Sequence, residues 1–204
     1  MSEPYLVSFE IAGPMAIFTR PDSGATFVSY PAPTFSSLRG MFDCVAWLKT
    51  AYIRPRSVEI CRPIQFQRYA TNYGGPLRKA EQIRTGSSYQ LFATILVDVC
   101  YRVHGQVRAR EASSGVHNHL HYLQEKFERR LKQGRLYRTP CLGWSEFTPS
   151  YFGPLRDSTK REASINDEIP SMLHSVFNAE SRGHIGPWFR QNVKIENGVL
   201  SFAE

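Results

Sequence analysis

Arginines recur through residues 54–68 at spacings that would let them contact a polyanion together. Neighbouring members are mostly two or six residues apart, so many of them share one face if the segment is an extended strand. Only Glu59 offers an opposite charge nearby, which favours phosphate contact over cross-strand ion pairs. The four are Arg54, Arg56, Arg62 and Arg68.

Residues 67–88 then combine tyrosines with cations and are interrupted by Gly74-Gly75 and by Gly86. Splayed RNA bases stack on aromatic rings while Lys and Arg neutralise phosphates, so this mixture suits single-stranded RNA. The segment lacks an RNP-type motif, and we expect a long basic hairpin or a disordered arm. The candidate contacts are Tyr69, Tyr73, Arg78, Lys79 and Arg84, with Tyr89 following.

Three histidines alternate in the segment VHNHLHYLQ. On a strand, His117, His119 and His121 would share a face and could hold zinc. A helix entry at this point scatters them, because only His117 and His121 are then aligned. No carboxylate stands nearby to orient them as ligands, so we expect neither a metal site nor another cofactor.

The positive charge of the chain is concentrated in its middle third. The 204 residues carry a net charge of +7. Residues 1–50 hold three Lys/Arg against four Asp/Glu, residues 51–110 hold ten against three, and residues 111–204 hold twelve against eleven. The three parts therefore contribute −1, +7 and +1. A basic region localised in this way is typical of a protein that binds a nucleic acid.

The remaining composition is that of a globular protein in the cytoplasm. Apolar residues make up 42% of the chain and charged residues 21%. There is no run of 18 apolar residues and no secretion signal at the N-terminus, so we expect no membrane association. The four cysteines lie 17, 39 and 41 residues apart, a spacing that predicts buried free thiols rather than a zinc knuckle.

A helix following the PAP sequence at residues 31–33 is the clearest predicted element. Thr34 is a suitable N-cap, and apolar residues recur at helical spacing from residue 35 to residue 46. We expect Gly40 to allow close packing on a sheet, Trp47 to join the core, and Arg39 to face solvent, where it could contact RNA.

Strands are predicted on both sides of this helix. They include residues 5–11 and 15–18, separated at Gly13-Pro14, and a long strand over residues 89–107. A second helix over residues 121–133 would bury Tyr122, Phe127 and Leu131, and a terminal hairpin over residues 188–202 would turn at Asn197-Gly198. This order predicts an α+β fold with a ferredoxin-like core at residues 1–110 and a helix plus β-rich region at residues 111–204.

Four segments taken together resemble the Cas-five family of CRISPR proteins, closest to its subtype I-C (Dvulg) branch. The similarity covers roughly residues 4–150 in order. The segments are FEIAGPMAIFTRPD, SYPAPTFSSLRGMFDCVAW, RPIQF and FERRLKQG…PCLGWSEF.

The resemblance implies a RAMP protein with an RRM-like, ferredoxin-like core and a protruding thumb, for which residues 67–88 occupy the corresponding place. Such a subunit of the Cascade ribonucleoprotein binds the 5′ handle of CRISPR RNA and caps the Cas-seven backbone beside the large Cascade subunit. It meets target DNA only indirectly, in antiviral defence. Lys49 would be positioned to reach the handle.

In the I-C branch the family member is also a metal-independent endoribonuclease, and here this sequence departs from the family. The expected tyrosine is replaced by Ala46, and the expected Lys-His pair by Tyr122 and Leu123. Scission needs a base at the 2′-OH and an acid or cation at the leaving oxygen. The nearby groups that could substitute are His119, His121, Tyr122 and Lys126.

Three functions therefore remain open. The sequence favours an RNA-binding subunit without nuclease activity. The alternatives are an endoribonuclease that processes CRISPR repeat RNA with relocated catalytic groups, and a structural assembly protein that does not bind RNA.

Overall fold

The computed structural model describes residues 5–24, 26–73, 79–86, 89–110, 118–176 and 186–202. These residues form twelve helices and strands in the following order: β1 Leu6–Ala16, β2 Phe27–Val28, α1 Phe35–Val45, β3 Ala51–Ile60, β4 Phe66–Tyr73, α2 Ala80–Arg84, β5 Tyr89–Ala109, α3 His119–Lys132, β6 Tyr151–Gly153, β7 Asp167–Ser175, β8 Trp188–Glu196 and β9 Val199–Ser201.

The strands of the described residues form a single sheet in the order β6-β1-β5-β3-β9-β8-β7. β2 and β4 pair with β5 outside this path, and only the β2–β5 pair is parallel. β5, with 21 residues, pairs with β1, β2, β3 and β4. The prediction of an α+β fold is therefore confirmed, and the sheet is mostly antiparallel.

Helix α1 begins as the sequence predicts. Thr34 is its N-cap, and its hydroxyl oxygen accepts a hydrogen bond from the Ser37 backbone N–H at 3.3 Å. The helix buries a stripe of apolar side chains against the sheet, and α3 packs beside it on the same sheet. The buried residues of α1 are Phe35, Leu38, Met41, Phe42 and Val45.

Gly105 of β5 is the glycine that allows α1 to approach the sheet closely. A Cβ atom at Gly105 would lie 2.6 Å from Cζ of Phe42 and 2.8 Å from Cγ2 of Ile53. A Cβ atom at Gly40 would meet nothing within 4 Å. The expectation that Gly40 serves this packing was therefore wrong, because Gly40 lies on the exposed side of α1.

Two other sequence predictions need correction. β1 continues through Gly13-Pro14, where a Cβ atom on Gly13 would lie 2.5 Å from Cδ1 of Leu142. Helix α3 begins at His119, after the N-cap Asn118, and buries Leu123 instead of Tyr122. The interior positions of α3 are four residues apart, so Tyr122, one residue before Leu123, is rotated by about 100° toward solvent.

The segment after β6 is fastened to the sheet by a buried carboxylate. Glu10 is fully buried and accepts hydrogen bonds from Nε of Arg156 at 2.7 Å, from the Arg156 backbone N–H at 2.9 Å and from Thr159 Oγ1 at 2.7 Å. Burial alone would raise the pKa of Glu10, but these hydrogen bonds and the Arg156 charge lower it overall. The ionised carboxylate therefore holds residues 156–159 in place.

The cysteines are free thiols, as predicted, but their burial differs. Cys100 is buried, whereas Cys44, Cys61 and Cys141 are half-buried. The asparagine-glycine turn is confirmed, since Asn197 and Gly198 both have positive φ between β8 and β9. No helix of the described part of the chain is both long and apolar enough to cross a bilayer.

A matched pair of glycine substitutions tests the packing of α1. We expect Gly105→Ala to lower the free energy of unfolding by about 1–3 kcal/mol, because the added methyl group overlaps Phe42 and Ile53. Gly40→Ala should raise it by about 0.5–1 kcal/mol, since the methyl group enters open space and alanine favours the helix. Urea denaturation of both variants measures these changes, and equal effects would contradict the close packing of α1 over Gly105.

Candidate nucleic-acid interface

The segment from β4 to the paired part of β5 contains five of the ten described residues that are predicted to contact RNA. β4 pairs with β5 from Phe66 opposite Leu96 to Tyr73 opposite Tyr89, and helix α2 lies between the two strands in sequence. Residues 89–92 of β5 pair with β4 alone among the described strands. Within the predicted segment 67–88, residues 67–73 therefore belong to β4 and Ala80–Arg84 to the short helix α2, while the long basic hairpin remains a prediction.

Exposed cations and exposed aromatic rings are interleaved on this hairpin. The guanidinium of Arg68 lies 4.4 Å from the ring centroid of Phe92, a cation–π contact that leaves both groups at the surface. Phe66 is 50% exposed, although it is a large apolar residue. The exposed cations along this part of the chain are Arg62, Arg68, Lys79 and Arg84.

The predicted tyrosines of the hairpin occupy different environments. Tyr69 is half-buried, and its ring stands edge-on to Phe147 with the centroids 5.6 Å apart. Tyr73 is placed by its backbone pairing with Tyr89. Arg78 lies outside the described residues. Tyr69 is therefore less accessible to RNA than its exposed neighbour Arg68.

The arginines of β3 do not continue a single row. A bulge between Pro55 and Ser57 inserts Arg56 as an extra residue, so the alternation of faces changes there. Arg54 and Arg56 are both half-buried, while Arg62 is exposed beyond the end of the strand, with Nε 3.9 Å from a carboxylate oxygen of Asp98. Regular spacing in the sequence therefore does not translate into one regular face.

Of the two remaining predicted contacts, Arg39 lies in the middle of α1 and Lys49 lies after its end. The Arg39 guanidinium lies 5.5 Å from the ring centroid of Tyr52, and that of Arg110 lies 5.4 Å from the same ring. Lys49 is exposed in the connection to β3. These residues lie toward the α1 side of the sheet, so the predicted RNA-binding residues do not form one compact group.

A second group of cations and rings lies where the end of α1 meets α3, and we call it the α1–α3 cluster. Nζ of Lys126 lies 3.4 Å from the Trp47 carbonyl oxygen, 5.8 Å from the Tyr122 ring centroid and 5.7 Å from that of Tyr137. The Arg130 guanidinium lies 4.0 Å from the Tyr137 ring. The cluster is therefore Trp47, Tyr122, Lys126, Arg130 and Tyr137.

Hydrogen bonds to backbone carbonyl groups of α1 position two members of this cluster. Nε of Arg130 donates to the Val45 carbonyl oxygen at 2.6 Å, and the Tyr137 N–H donates to the Cys44 carbonyl oxygen at 2.7 Å. These carbonyl groups belong to the last turn of α1, which is left without intrahelical partners. The chain after α3 is thus attached to the end of α1.

Trp47 and Tyr137 also line a pocket of about 940 Å³ beside the cluster. The expectation that Trp47 joins the core was wrong, because this residue is 51% exposed. α1 ends at Val45 with its apolar stripe already complete, so the chain turns away and leaves the indole at the surface. Arg138, Asp43 and Thr139 contribute to the same pocket wall.

Two of the three positions that match the family's catalytic residues provide no acid or base, and the third is a tyrosine. Ala46 and Leu123 are buried, and Tyr122 is 50% exposed. Among the substitutes, Nε2 of His121 lies 3.2 Å from a carboxylate oxygen of Glu125 on the exposed face of α3. Nε2 of His119 is buried without a hydrogen-bond partner among the described residues.

Tyr137 is a chemically perturbed residue that the sequence analysis missed. A hydrogen bond from Lys126, together with the charges of Lys126 and Arg130, lowers the pKa of the Tyr137 phenol. The available signal was the sequence GRLYRTP, where a tyrosine stands among arginines as it does in residues 67–88. The same basic-aromatic criterion would have selected it.

The described residues contain no group of three or more His, Cys, Asp or Glu arranged to hold a metal ion. His117, one of the three alternating histidines, lies outside the described residues, while His119 and His121 lie in the first turn of α3.

The fold is that of a CRISPR-associated protein. A crystal structure titled as a CRISPR-associated protein superposes with a TM-score of 0.70 at 20% identity, covering 98% of this chain and 92% of the other. A family model described as CRISPR-associated protein (Cas_Cas5), of the Cas5d type, matches residues 6–184. The chain therefore belongs to the Cas5 family, in its Cas5d, subtype I-C branch, as the sequence resemblance indicated.

Two similar relatives carry the name CRISPR pre-crRNA endoribonuclease Cas5d. The protein from Thermus thermophilus is 30% identical over 176 residues, which cover 85% of this chain and 74% of the relative. The protein from Mannheimia succiniciproducens is 27% identical over 215 residues, which cover 95% of this chain and 93% of the relative.

The pKa of Tyr137 provides a test of the α1–α3 cluster. We expect Lys126→Met to raise this pKa, because the substitution removes both the hydrogen bond and the positive charge of Lys126. NMR titration of ring-labelled tyrosine measures it, with the Tyr137 signal assigned from Tyr137→Phe. Lys132→Met removes a charge from the exposed end of α3 and should leave the Tyr137 pKa unchanged. Equal shifts in the two variants would show that net charge, not contact, sets the value.

Proposed function

We propose that this chain is a Cas5-type Cascade subunit that binds the 5′ handle of CRISPR RNA and caps the Cas-seven backbone without cleaving RNA. The observation that supports RNA binding best is the β4–β5 hairpin, where Arg68 packs on the exposed Phe92 ring. Lys79 and Arg84 are exposed between its two strands in sequence, and Arg62 is exposed in the connection that precedes β4. Rings and cations interleaved in this way stack bases and neutralise phosphates together.

We further propose a ferredoxin-like core with the β4–β5 hairpin as its thumb. The order β6-β1-β5-β3, with α1 after β1 and α3 after β5, supports this assignment because it is the strand order of two interleaved βαβ units. Residues 111–204 would then supply α3 and β6 of the core and the β-rich region β7–β9. In this arrangement the thumb projects from the longest strand of the core.

Burial of the matched positions supports the absence of cleavage. Ala46 and Leu123 are 1% and 0% exposed, so no side chain there can take a proton from a ribose 2′-OH. The processing of the repeat RNA would then belong to another nuclease.

Salt dependence of binding tests the RNA interface. For single-stranded RNA, the slope of log affinity against log salt falls by about 0.7 for each phosphate contact. Replacing Arg68 and Arg84 with Gln should therefore make the slope shallower by about 1.4. Fluorescence anisotropy with repeat-derived RNA across a salt series measures this effect.

The matched control replaces Lys132 and Lys194, two exposed cations away from the hairpin, and removes the same net charge. We expect the control to retain the wild-type slope. A flat salt response of the wild-type protein would instead support a structural protein that contacts acidic partners, and equal slopes in both variants would exclude the hairpin as the interface.

Cleavage is the second candidate function, and the geometry of Tyr137 favours it specifically. The Tyr137 phenol oxygen accepts a hydrogen bond from Lys126, so it would serve as the general base while Lys126 stabilises the leaving oxygen. Both relatives described above are named endoribonucleases. This candidate requires that Tyr137 and Lys126 replace the groups missing at Ala46 and Leu123.

An assay in EDTA separates the two candidates. We expect labelled repeat RNA to remain intact, because two of the three matched catalytic positions, Ala46 and Leu123, are occupied by buried apolar side chains. Discrete products with 2′,3′-cyclic phosphate ends would contradict our proposal. If those products disappear in Tyr137→Phe and in Lys126→Met but persist in His121→Ala, the α1–α3 cluster is the active site.

A further inference from the structure

Large aromatic residues are exposed at few places on the described surface, and three of them meet at Lys126. Trp47, Tyr122 and Tyr137 are 51%, 50% and 52% exposed. The two tyrosine rings lie within 5.8 Å of the Lys126 ammonium, which also contacts the Trp47 carbonyl oxygen. Exposed aromatic groups gathered at one place mark a binding surface more often than they mark a packing defect.

This surface contains a pocket with two cations at its edge. Trp47 and Tyr137 line the pocket of about 940 Å³ described above, and Arg138 lies in its wall. Lys126 and Arg130 stand beside Tyr137, and the acidic group in the pocket wall is Asp43. An occupant should therefore combine a flat apolar face with negative charge at its edge.

The groups are also fixed before any ligand arrives. Arg130 donates to the Val45 carbonyl oxygen, and the Tyr137 backbone donates to the Cys44 carbonyl oxygen, so both residues are attached to the end of α1. A ligand would not need to order these groups, and preorganised groups bind at a lower entropic cost.

We propose that this pocket receives one unstacked nucleobase of the bound RNA, with the adjoining phosphates at Lys126 and Arg130. A nucleobase has the flat apolar face that exposed rings recognise, and its backbone supplies the negative charge. Asp43 and Thr139 provide polar groups in the wall for the edge of the base. The inference rests on the proposed RNA binding and adds a second contact point, separate from the β4–β5 hairpin.

The affinities of the protein for two oligonucleotides test the pocket. One is a single-stranded RNA of about 12 nucleotides, and the other has the same length and charge but lacks every base. We expect Trp47→Ala to bind the base-containing RNA about 10-fold more weakly than the wild type, because it loses one stacking contact. The same variant should bind the abasic strand as the wild type does.

Trp188→Ala is the matched control, because Trp188 is an exposed tryptophan, 46% accessible, on strand β8. It should bind both strands like the wild type, while Trp47→Phe, which keeps a ring, should recover most of the lost affinity. Quenching of tryptophan fluorescence by the base-containing strand should disappear in Trp47→Phe.

The outcomes separate the pocket from the wider proposal. If the wild-type protein binds neither strand, both RNA binding and the pocket are refuted. If it binds RNA with a steep salt dependence and Trp47→Ala binds equally well, only the pocket is refuted. If Trp47→Ala lowers the affinity for both oligonucleotides equally, the pocket is also refuted. Loss of folding or charge, and not of stacking, would then explain the effect.

Discussion

The packing of Phe42 over Gly105 is the contact on which the arrangement of both helices depends. The Phe42 ring lies 4.9 Å from the Phe9 ring of β1 and 5.5 Å from the Phe127 ring of α3, centroid to centroid. All three side chains are completely buried, and full burial of such a ring stabilises a fold by about 1.5–3 kcal/mol. A side chain at position 105 would hold α1 away from the sheet and separate this group.

This contact also determines where the candidate chemistry lies. With α1 and α3 side by side, Arg130 bonds to the Val45 carbonyl oxygen at the end of α1, and Lys126 bonds to the Trp47 carbonyl oxygen just beyond it. The aromatic surface of Trp47, Tyr122 and Tyr137 forms at that junction. At the matched family positions, Ala46 and Leu123 have become part of the core. The family resemblance implies acid and base groups at this junction. The structure instead has aromatic rings and cations there, and these groups suit RNA binding.

β5 links this junction to the hairpin through continuous backbone pairing. Its C-terminal half pairs with β1 and β3 beneath the helices, and its N-terminal half pairs with β4. Strand β4, which carries Arg68, is thus attached to the core through its pairing with β5. Two surfaces with cations and exposed rings, one on the hairpin and one at the α1–α3 junction, are held in a fixed relation by one sheet.

The sequence by itself determined the local elements and the family. Thr34 as N-cap, the apolar stripe from Phe35 to Val45, the long strand β5 and the Asn197-Gly198 turn follow from patterns within a few residues, because capping, periodicity and turn geometry are local properties. The charge excess of residues 51–110 likewise indicates a polyanion partner from residue types alone.

Only the tertiary structure decided which side chains meet and which are exposed. Gly40 and Gly105 look alike in sequence, yet only Gly105 lies beneath a ring of another element. The helical pattern predicts Trp47 and Tyr122 on apolar helix faces, but the end of α1 and the orientation of α3 leave both at the surface. Tyr137 acquires its lowered pKa from Lys126, on a different element, and a contact of that kind depends on how helices pack, which local sequence does not specify.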